Sequence, residues 1–215
     1  MAEYHKYVFD TDNRRFVGEF DQMYQQEKVA NFDSWHQNDS RQLNRKVALE
    51  ILNAYNFGKI LDVGCGKGIL THQLKKHNNQ LLGIDISSTA IEVASSSFPD
   101  IQFDVVDVND LQSFTSYLNA RYETASRAGG GAGGFDLVFA AECLSYIENW
   151  KELIAALAPR TRYLMIALYL PENPIGFVKS VEELEAAVDC YFVILELVII
   201  KKSRFVLLFG RSQST

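Results

Sequence analysis

The segment KILDVGCGKGILT, residues 59–71, limits the folds open to this chain more than any other feature. An apolar run interrupted by Asp62 leads directly into three alternating glycines, Gly64, Gly66 and Gly68. Short apolar runs are typical of buried strands, and glycine permits the positive φ values of a sharp chain reversal. The pattern therefore predicts a strand, a glycine-rich loop and a helix in succession.

Apolar runs alternate with amphipathic stretches through most of the remaining sequence. The predicted strands cover residues 59–63, 80–86, 101–108, 135–142 and 161–170, and the predicted helices cover 67–77, 88–97, 110–121 and 147–158. Such alternation is typical of a parallel sheet that has helices on both faces. We therefore expect an α/β fold with a Rossmann-like, doubly wound sheet.

The pattern changes towards the carboxyl end of the chain. Ser180 and Glu183 have the spacing of a capping box, which predicts a helix from there to about residue 190. Two apolar runs follow at 192–200 and 204–210, and only a short KKS link joins them. A link this short predicts an antiparallel hairpin.

Ahead of the sheet, residues 14–57 are predicted to be helical in two pieces, with the polar and aromatic stretch NFDSWHQNDS between them. Asp39 or Ser40 could begin the second piece. We expect residues 1–40 to form a helical extension or lid, and residues 41–215 to form the main domain. Four side chains could close a lid, although packing against the sheet explains them equally well: Tyr24, Phe32, Trp35 and His36.

Charge, hydropathy and cysteine usage exclude several classes of protein. The net charge of −6 is unfavourable for binding the nucleic-acid backbone, and the apolar run at 191–200 is about half the length of a membrane span. We expect a cytoplasmic monomer or homodimer without nucleic-acid or membrane partners. Cys65, Cys143 and Cys190 are widely spaced, so we expect reduced thiols and no metal site.

A glycine-rich stretch, RAGGGAGG at 127–134, stands apart in composition. A phosphate-binding P-loop would require a lysine followed by serine or threonine after its second glycine, and neither pair is present. The stretch is better explained as a flexible connector before the fourth predicted strand.

The loop at residues 64–68 also differs from a dinucleotide-binding loop, because Ile69 stands where G-x-G-x-x-G requires its third glycine. The carboxylate of Asp62 would be unfavourable beside a pyrophosphate but favourable beside a cation. We therefore expect Asp62 and this loop to lie near a positively charged ligand, the alternative being a tight structural turn.

Two more acidic residues follow later predicted strands. Asp85 comes 23 residues after Asp62, at the position where doubly wound folds place the acid that binds ribose hydroxyls. Ile86 could cover one face of a purine, and Asp107, at the end of the third strand, could accept a hydrogen bond from an exocyclic amine. Asp107 could instead be a helix cap. Together these residues predict a pocket for an adenosine that carries a cation and no phosphate.

Four segments of the chain, LDVGCGKG, GIDIS, VVDVND and FDLVFAAECLSYI, resemble the motifs of class I S-adenosylmethionine-dependent methyltransferases over residues 41–212. The resemblance implies S-adenosylmethionine as the cofactor and a seven-stranded, mostly parallel sheet with an antiparallel carboxyl-terminal hairpin. It also implies roles: Gly64, Cys65, Gly66 and Gly68 around the methionine part, Asp85 on the ribose, Ile86 against the adenine, and Asp107 with Val108 at the adenine edge.

The motifs of methyltransferases that act on DNA or on protein arginine are missing from the sequence. The expected methyl acceptor is therefore an amine or a hydroxyl of a small molecule. The fourth strand lacks the prolines of DNA methyltransferases, so Cys143 is expected to be an ordinary apolar residue, and the paired glutamates of arginine methyltransferases are missing. The stretch FDSWHQNDSRQLNRK, together with FDLVFAAECLSYI, is similar to nodulation-type N-methyltransferases that act on amino sugars.

Glu142, at the end of the fourth predicted strand, is the candidate to orient an amine or take its proton, and Tyr146 is second. A carboxylate at a helix N-terminus is the alternative for Glu142. A sensor or scaffold that binds the cofactor without turnover would share every cofactor residue. A polyamine synthase-type enzyme would show paired aspartates where Ala140 and Ala141 stand.

Overall fold

A computed structural model describes residues 5–30, 32–37, 39, 42–127 and 134–213. The helices are α1 (His5–Val8), α2 (Phe20–Ala30), α3 (Leu43–Asn53), α4 (Ile69–Gln73), α5 (Ser88–Ser97), α6 (Leu111–Arg127), α7 (Trp150–Leu157) and α8 (Val181–Asp189). The strands are β1 (Phe9–Asp10), β2 (Arg15–Phe16), β3 (Lys59–Val63), β4 (Gln80–Asp85), β5 (Gln102–Val105), β6 (Phe135–Ala141), β7 (Thr161–Tyr169), β8 (Phe192–Ile200) and β9 (Phe205–Ser212).

The main sheet has seven strands in the order β5-β4-β3-β6-β7-β9-β8. The strands β3 to β7 are parallel, and β9 pairs antiparallel with both β7 and β8. The predicted doubly wound sheet and its carboxyl-terminal hairpin are therefore confirmed. The strand order reverses between β3 and β6, and in open α/β sheets ligands bind beyond the carboxyl ends of the strands at such a point.

The sheet separates two apolar cores, because successive side chains of a strand point to opposite faces. Leu61 and Val138 belong to the core that α6, α7 and α8 complete, whereas Ile60 and Phe139 belong to the core that α3 and α5 complete. All four side chains are buried. The nearly continuous apolar composition of β3 and β6 follows from this burial on both faces.

The helix α8 begins as its capping box predicts. Ser180 Oγ accepts a hydrogen bond from the backbone N–H of Glu183 at 3.1 Å, while Glu183 Oε2 accepts one from the N–H of Lys179 at 2.9 Å.

Across the described part of the chain, every helix is too short or too polar to cross a membrane.

The predicted helix at 67–77 is wrong in length, since α4 has only five residues. Asn79 ends it early, because its amide accepts a hydrogen bond from the N–H of Lys76 and donates one to the carbonyl of Leu74. These bonds form a compact turn in place of another turn of helix.

The predicted helix over the first residues of 14–57 is also wrong. A two-stranded hairpin, β1 and β2, precedes α2, and Gly18 with φ of 78° separates the hairpin from the helix. The second helix begins at Leu43, after both proposed starts, and Ser40 lies outside the described residues. Residues 128–133 of the glycine-rich connector also lie outside them.

Candidate functional site

A cavity lies at the carboxyl ends of β3, β4, β5 and β6, at the point where the strand order reverses. It has about 930 Å³ of empty space, part of it open to solvent. Nine of the residues predicted from the sequence line it: Asp62, Gly64, Cys65, Asp85, Ile86, Asp107, Val108, Glu142 and Tyr146. Gly66 and Gly68 belong to the same loop but lie outside this lining.

The three glycines of the loop all have positive φ, between 54° and 78°. A Cβ atom on Gly64 would lie 2.4 Å from Cys143 Cβ, and one on Gly66 would lie 2.2 Å from Gln37 Nε2. A Cβ on Gly68, which precedes α4 in the left-handed conformation, would lie 2.7 Å from Phe103 Cζ. The positive φ values therefore favour glycine at all three positions, and close packing against Cys143 adds a second requirement at Gly64.

Asp85 lies at the end of β4, where its buried carboxylate lines the cavity. Its carboxylate is 9% exposed, and its two oxygens accept hydrogen bonds from the N–H groups of Gly66 and Ser87, each at 2.9 Å. Burial raises the pKa of Asp85, and these backbone hydrogen bonds offset part of that rise. The carboxylate is thus held rigidly with acceptor capacity left, which fits a ribose diol.

The adjoining part of the cavity fits a flat apolar ring with a polar edge. Ile86 is 43% exposed beside the cavity, and Val108 also lines it. Asp107 Oδ1 accepts a hydrogen bond from the N–H of Asn109, whereas the first turn of α6 is capped by Asp110. The helix-cap explanation therefore does not apply to Asp107, and this side of the cavity fits an adenine.

Asp62 is buried under the loop, at 2% exposure, and its carboxyl accepts a hydrogen bond from the hydroxyl of Thr71 at 2.6 Å. Burial is the main cause that raises the pKa of Asp62 to about 7. At neutral pH a cationic ligand nearby would favour the ionised form. Asp62 is therefore suited to respond to a positive charge in the cavity.

Replacing Asp62 by asparagine is expected to flatten the pH dependence of stability. Because the folded pKa lies above the ordinary value of 3.8, the protonated carboxyl stabilises the native state at low pH, and this contribution is lost as the pH rises through about 7. Between pH 6 and pH 8 the free energy of unfolding of the variant should rise relative to that of the wild type by on the order of 1 kcal/mol, measured by denaturant unfolding without ligand. A constant difference would show that Asp62 does not titrate there.

Glu142 follows directly after β6 in a strained backbone conformation, with φ of 58°. Its N–H donates to the carbonyl of Ala167 at 2.6 Å, which fixes the backbone across the β6–β7 edge. The side chain is 22% exposed, and burial raises the pKa of its carboxyl. A single 3-10 turn, Leu144–Tyr146, begins two residues after Glu142, and α7 begins at Trp150. The Glu142 carboxylate accepts its hydrogen bond from Asn44 of α3 instead of capping that turn.

Two residues that were not predicted hold the Glu142 carboxylate. Asn44 Nδ2 donates to Glu142 Oε1 at 2.8 Å, and Arg45 Nη2 lies 3.8 Å from the same oxygen. Arg45 is the basic side chain among the described residues that line the cavity. Both belong to the first turn of α3, inside the stretch that resembles nodulation-type enzymes, but no pattern in that stretch singled them out.

The amino-terminal part of the chain covers one side of the cavity. Phe20, Tyr24, Trp35 and Gln37 all line it, whereas Phe32 and His36 are not among the lining residues. Tyr146 is the centre of an aromatic cluster here. Its ring centroid lies 5.5 to 6.3 Å from those of four other rings, Phe9, Phe16, Phe20 and Trp35.

An ion cluster joins this cover to the glycine-rich loop. Lys67 Nζ lies 2.8 Å from Glu27 Oε2 and 3.0 Å from Asp33 Oδ1, and the Lys67 side chain is only 14% exposed. The N–H of Lys67 also donates to Gln37 Oε1 at 3.1 Å. The loop and the cover are therefore expected to move together.

Replacing Lys67 by methionine is expected to loosen the cover, because the buried carboxylate of Glu27 and the partly buried one of Asp33 lose a cationic partner. The free energy of unfolding should fall by about 1–2 kcal/mol, and limited proteolysis within residues 20–37 should become faster. Lys28→Met is the matched control, since its ion pair with Glu92 is exposed and should contribute under about 0.5 kcal/mol. Equal effects of both variants would contradict the role given to Lys67.

Comparisons with known proteins agree with this geometry. Residues 61–162, slightly less than half of the chain, match the family model of a methyltransferase domain. The ubiquinone biosynthesis O-methyltransferase of Burkholderia orbicola is 30% identical over 103 residues, which are 46% of this chain and 38% of the relative. The chain thus spans well under half the length of the curated relatives it matches.

Solved structures resemble the whole fold. The N-methyltransferase NodS of Bradyrhizobium japonicum in complex with S-adenosyl-L-homocysteine is 20% identical, with a TM-score of 0.68 over 90% of this chain and 98% of that chain. The cyclase SpnF is 14% identical, with a TM-score of 0.65 over 90% of this chain and 95% of that chain. At these identities the structures establish the fold.

Proposed function

We propose that this chain, which has the fold and the domain of class I S-adenosylmethionine-dependent methyltransferases, transfers a methyl group to an amine or hydroxyl of a small molecule. The observation that carries the proposal is the position of Glu142. Its carboxylate lines the same cavity as the candidate adenosine residues, and it is largely withdrawn from water. A carboxylate in such a position can take up or orient a proton.

The cofactor half of the cavity fits S-adenosylmethionine residue by residue. We assign Asp85 to the ribose hydroxyls, Ile86 to the adenine face, and Asp107 with Val108 to the adenine edge. Asp62 favours the positive charge of the cofactor, and Arg45 could pair with the carboxylate of its methionine part. When bound, S-adenosylmethionine supplies a methyl group on a sulfonium, which needs only an aligned nucleophile.

The protein aligns the nucleophile of the acceptor with the methyl group and accepts the proton that the nucleophile loses. Glu142 accepts a hydrogen bond from the nucleophilic amine or hydroxyl, and burial makes its carboxylate a stronger base than an exposed one. Tyr146 and the aromatic rings around it exclude water and position the acceptor. Alignment in a site of this kind can lower the barrier by roughly 7–11 kcal/mol in favourable cases.

The lining of the cavity favours a small acceptor that is not a nucleic acid. Four acidic side chains line it, those of Asp62, Asp85, Asp107 and Glu142, and they would repel a phosphate backbone. Phe20, Tyr24, Trp35 and Gln37 wall one side of the cavity, and a cavity enclosed in this way favours a small molecule. NodS is an N-methyltransferase and the Burkholderia relative is an O-methyltransferase, so the proposal includes both an amine and a hydroxyl as the methyl acceptor.

Methyl transfer to a panel of acceptors tests this function. The full chain is incubated with S-adenosylmethionine and primary amines, amino sugars, phenols, oligonucleotides or peptides, and S-adenosylhomocysteine release is measured by mass spectrometry. We expect release that depends on an amine or hydroxyl compound. Release that depends only on oligonucleotides or peptides would contradict the small-molecule proposal, and tight cofactor binding without transfer to any acceptor would favour the sensor.

A further inference from the structure

Asn44 contacts the proposed catalytic carboxylate from outside the lining of the cavity. It lies in the first turn of α3, and its side chain is 2% exposed. Its amide nitrogen donates to Glu142 Oε1 at 2.8 Å, across 98 residues of sequence. The carboxylate oxygen is thereby fixed to a helix that packs against β7 and β9.

Arg45, the next residue of α3, is itself held in place. Its Nη1 and Nη2 donate to the backbone carbonyls of His36 and Trp35, at 2.5 and 2.8 Å, while Nη2 lies 3.8 Å from Glu142 Oε1. The guanidinium therefore offers a fixed positive charge to the carboxylate without a direct hydrogen bond. The hydrogen bond to Oε1 comes from Asn44.

The side-chain amide of Asn44 forms a hydrogen bond through its nitrogen but not through its oxygen. A side chain that served only to stabilise the fold would be expected to use both. Its Oδ1 is buried and lacks a hydrogen-bond partner in the described part of the chain. An unpaired buried acceptor is unfavourable for folding, and an apolar residue at this place would avoid it. Among the described residues, only the amide nitrogen of Asn44 has a hydrogen-bond partner, and that partner is Glu142.

We propose that Asn44 is a positioning residue for methyl transfer, which holds the Glu142 carboxylate in one orientation towards the acceptor. The inference rests on the proposed function, because it requires Glu142 to contact the acceptor. A single fixed orientation reduces the freedom that the carboxylate would otherwise lose on reaching the transition state. Asn44 acts through Glu142 and does not itself contact the reacting atoms.

The groups that face Glu142 determine what the removal of Asn44 changes. Arg45 and His36 are the basic groups that favour the ionised carboxylate, while Cys143 and Tyr146 are the titratable neighbours on its own segment. Asn44 carries no charge, so its replacement by alanine leaves all of these in place. A change in the ionisation of Glu142 would then report the lost hydrogen bond alone.

Two measurements on Asn44→Ala test the inference. The first is the pH profile of kcat with an acceptor found in the panel: we expect kcat to fall roughly 10- to 100-fold, with the acid limb moved to higher pH and the Kd of S-adenosylhomocysteine within about twofold of wild type. The second needs no acceptor. NMR titration of carboxyl-labelled glutamate, assigned with Glu142→Gln, should show Glu142 titrating at higher pH in the variant.

Asn79→Ala is the matched control, because it removes another buried, hydrogen-bonded amide far from the cavity. It should leave the Glu142 titration and the pH profile unchanged. If Asn44→Ala does not fold, Asn44→Asp serves in its place, because aspartate keeps the shape of asparagine and replaces the N–H donor by an acceptor. This variant should raise the pH at which Glu142 titrates further than Asn44→Ala does.

The outcomes separate this inference from the proposed function. If Glu142→Gln transfers methyl groups at the wild-type rate, the role of Glu142 fails and this inference fails with it. If Glu142→Gln is slow while Asn44→Ala and Asn44→Asp keep the wild-type rate and pH profile, only the positioning role of Asn44 is overturned. An unmoved Glu142 titration in both variants would also overturn it.

Discussion

Glu142→Gln is expected to lower the rate of methyl transfer by roughly 10²–10⁴-fold while leaving cofactor affinity unchanged. The glutamine side chain keeps the size of glutamate and an oxygen that can accept the hydrogen bond from Asn44. It cannot accept the proton of an amine or hydroxyl nucleophile. Initial rates under saturating cofactor and acceptor, together with calorimetric titration of S-adenosylhomocysteine, measure the two quantities separately.

Two variants make this comparison specific. Glu148→Gln removes an exposed acid a few residues away and should keep the wild-type rate. Tyr146→Phe removes the hydroxyl of the second candidate and should have a smaller effect than Glu142→Gln if Tyr146 mainly positions the acceptor. A loss below about threefold in Glu142→Gln would remove Glu142 from the chemistry.

Asp85→Ala is expected to weaken cofactor binding by one to two decades, which corresponds to about 1.5–3 kcal/mol. The ligand would lose its acceptor for the ribose hydroxyls. The loop would also lose the hydrogen bonds that Asp85 accepts from Gly66 and Ser87, so part of the effect should come from a less ordered loop. Calorimetry with S-adenosylhomocysteine gives the Kd, and denaturant unfolding reports the accompanying change in stability.

Asp100→Ala is the control for Asp85→Ala, because Asp100 is an exposed acid at the other end of α5, 62% accessible, and far from the cavity lining. Its replacement removes the same charge from the chain and should leave the Kd unchanged. An unchanged Kd in Asp85→Ala would remove Asp85 from the cofactor site.

Much of the sheet could be predicted because burial on both faces leaves a strong signal in the sequence. β3 and β6 are nearly continuous apolar runs, and the short link between β8 and β9 permits only a hairpin. The motifs at the ends of these strands predicted a methyltransferase fold, and that fold is confirmed by the solved structures, while residues 61–162 match the family model of a methyltransferase domain. Motifs at strand ends are informative because the loops there build the site.

The amino-terminal part could not be predicted as well, because its structure depends on contacts made across the fold. The hairpin of β1 and β2 has only two residues in each strand, too few for periodicity to detect. Asn44 and Arg45 read as ordinary polar residues of an amphipathic helix, and only the folded chain brings them to Glu142. The close approach of Cys143 to Gly64 was likewise absent from the local sequence.

The central claim is that this cavity transfers a methyl group beside Glu142. A single-turnover experiment tests it most directly: the full chain, in excess over methyl-labelled S-adenosylmethionine, is mixed with an acceptor from the panel, and the label is followed in the acceptor, the cofactor and the protein. We predict that the label enters the acceptor as S-adenosylhomocysteine forms, at least about 100-fold faster in wild type than in Glu142→Gln. Label that stays in the bound cofactor, or that appears on the protein itself, would contradict the claim.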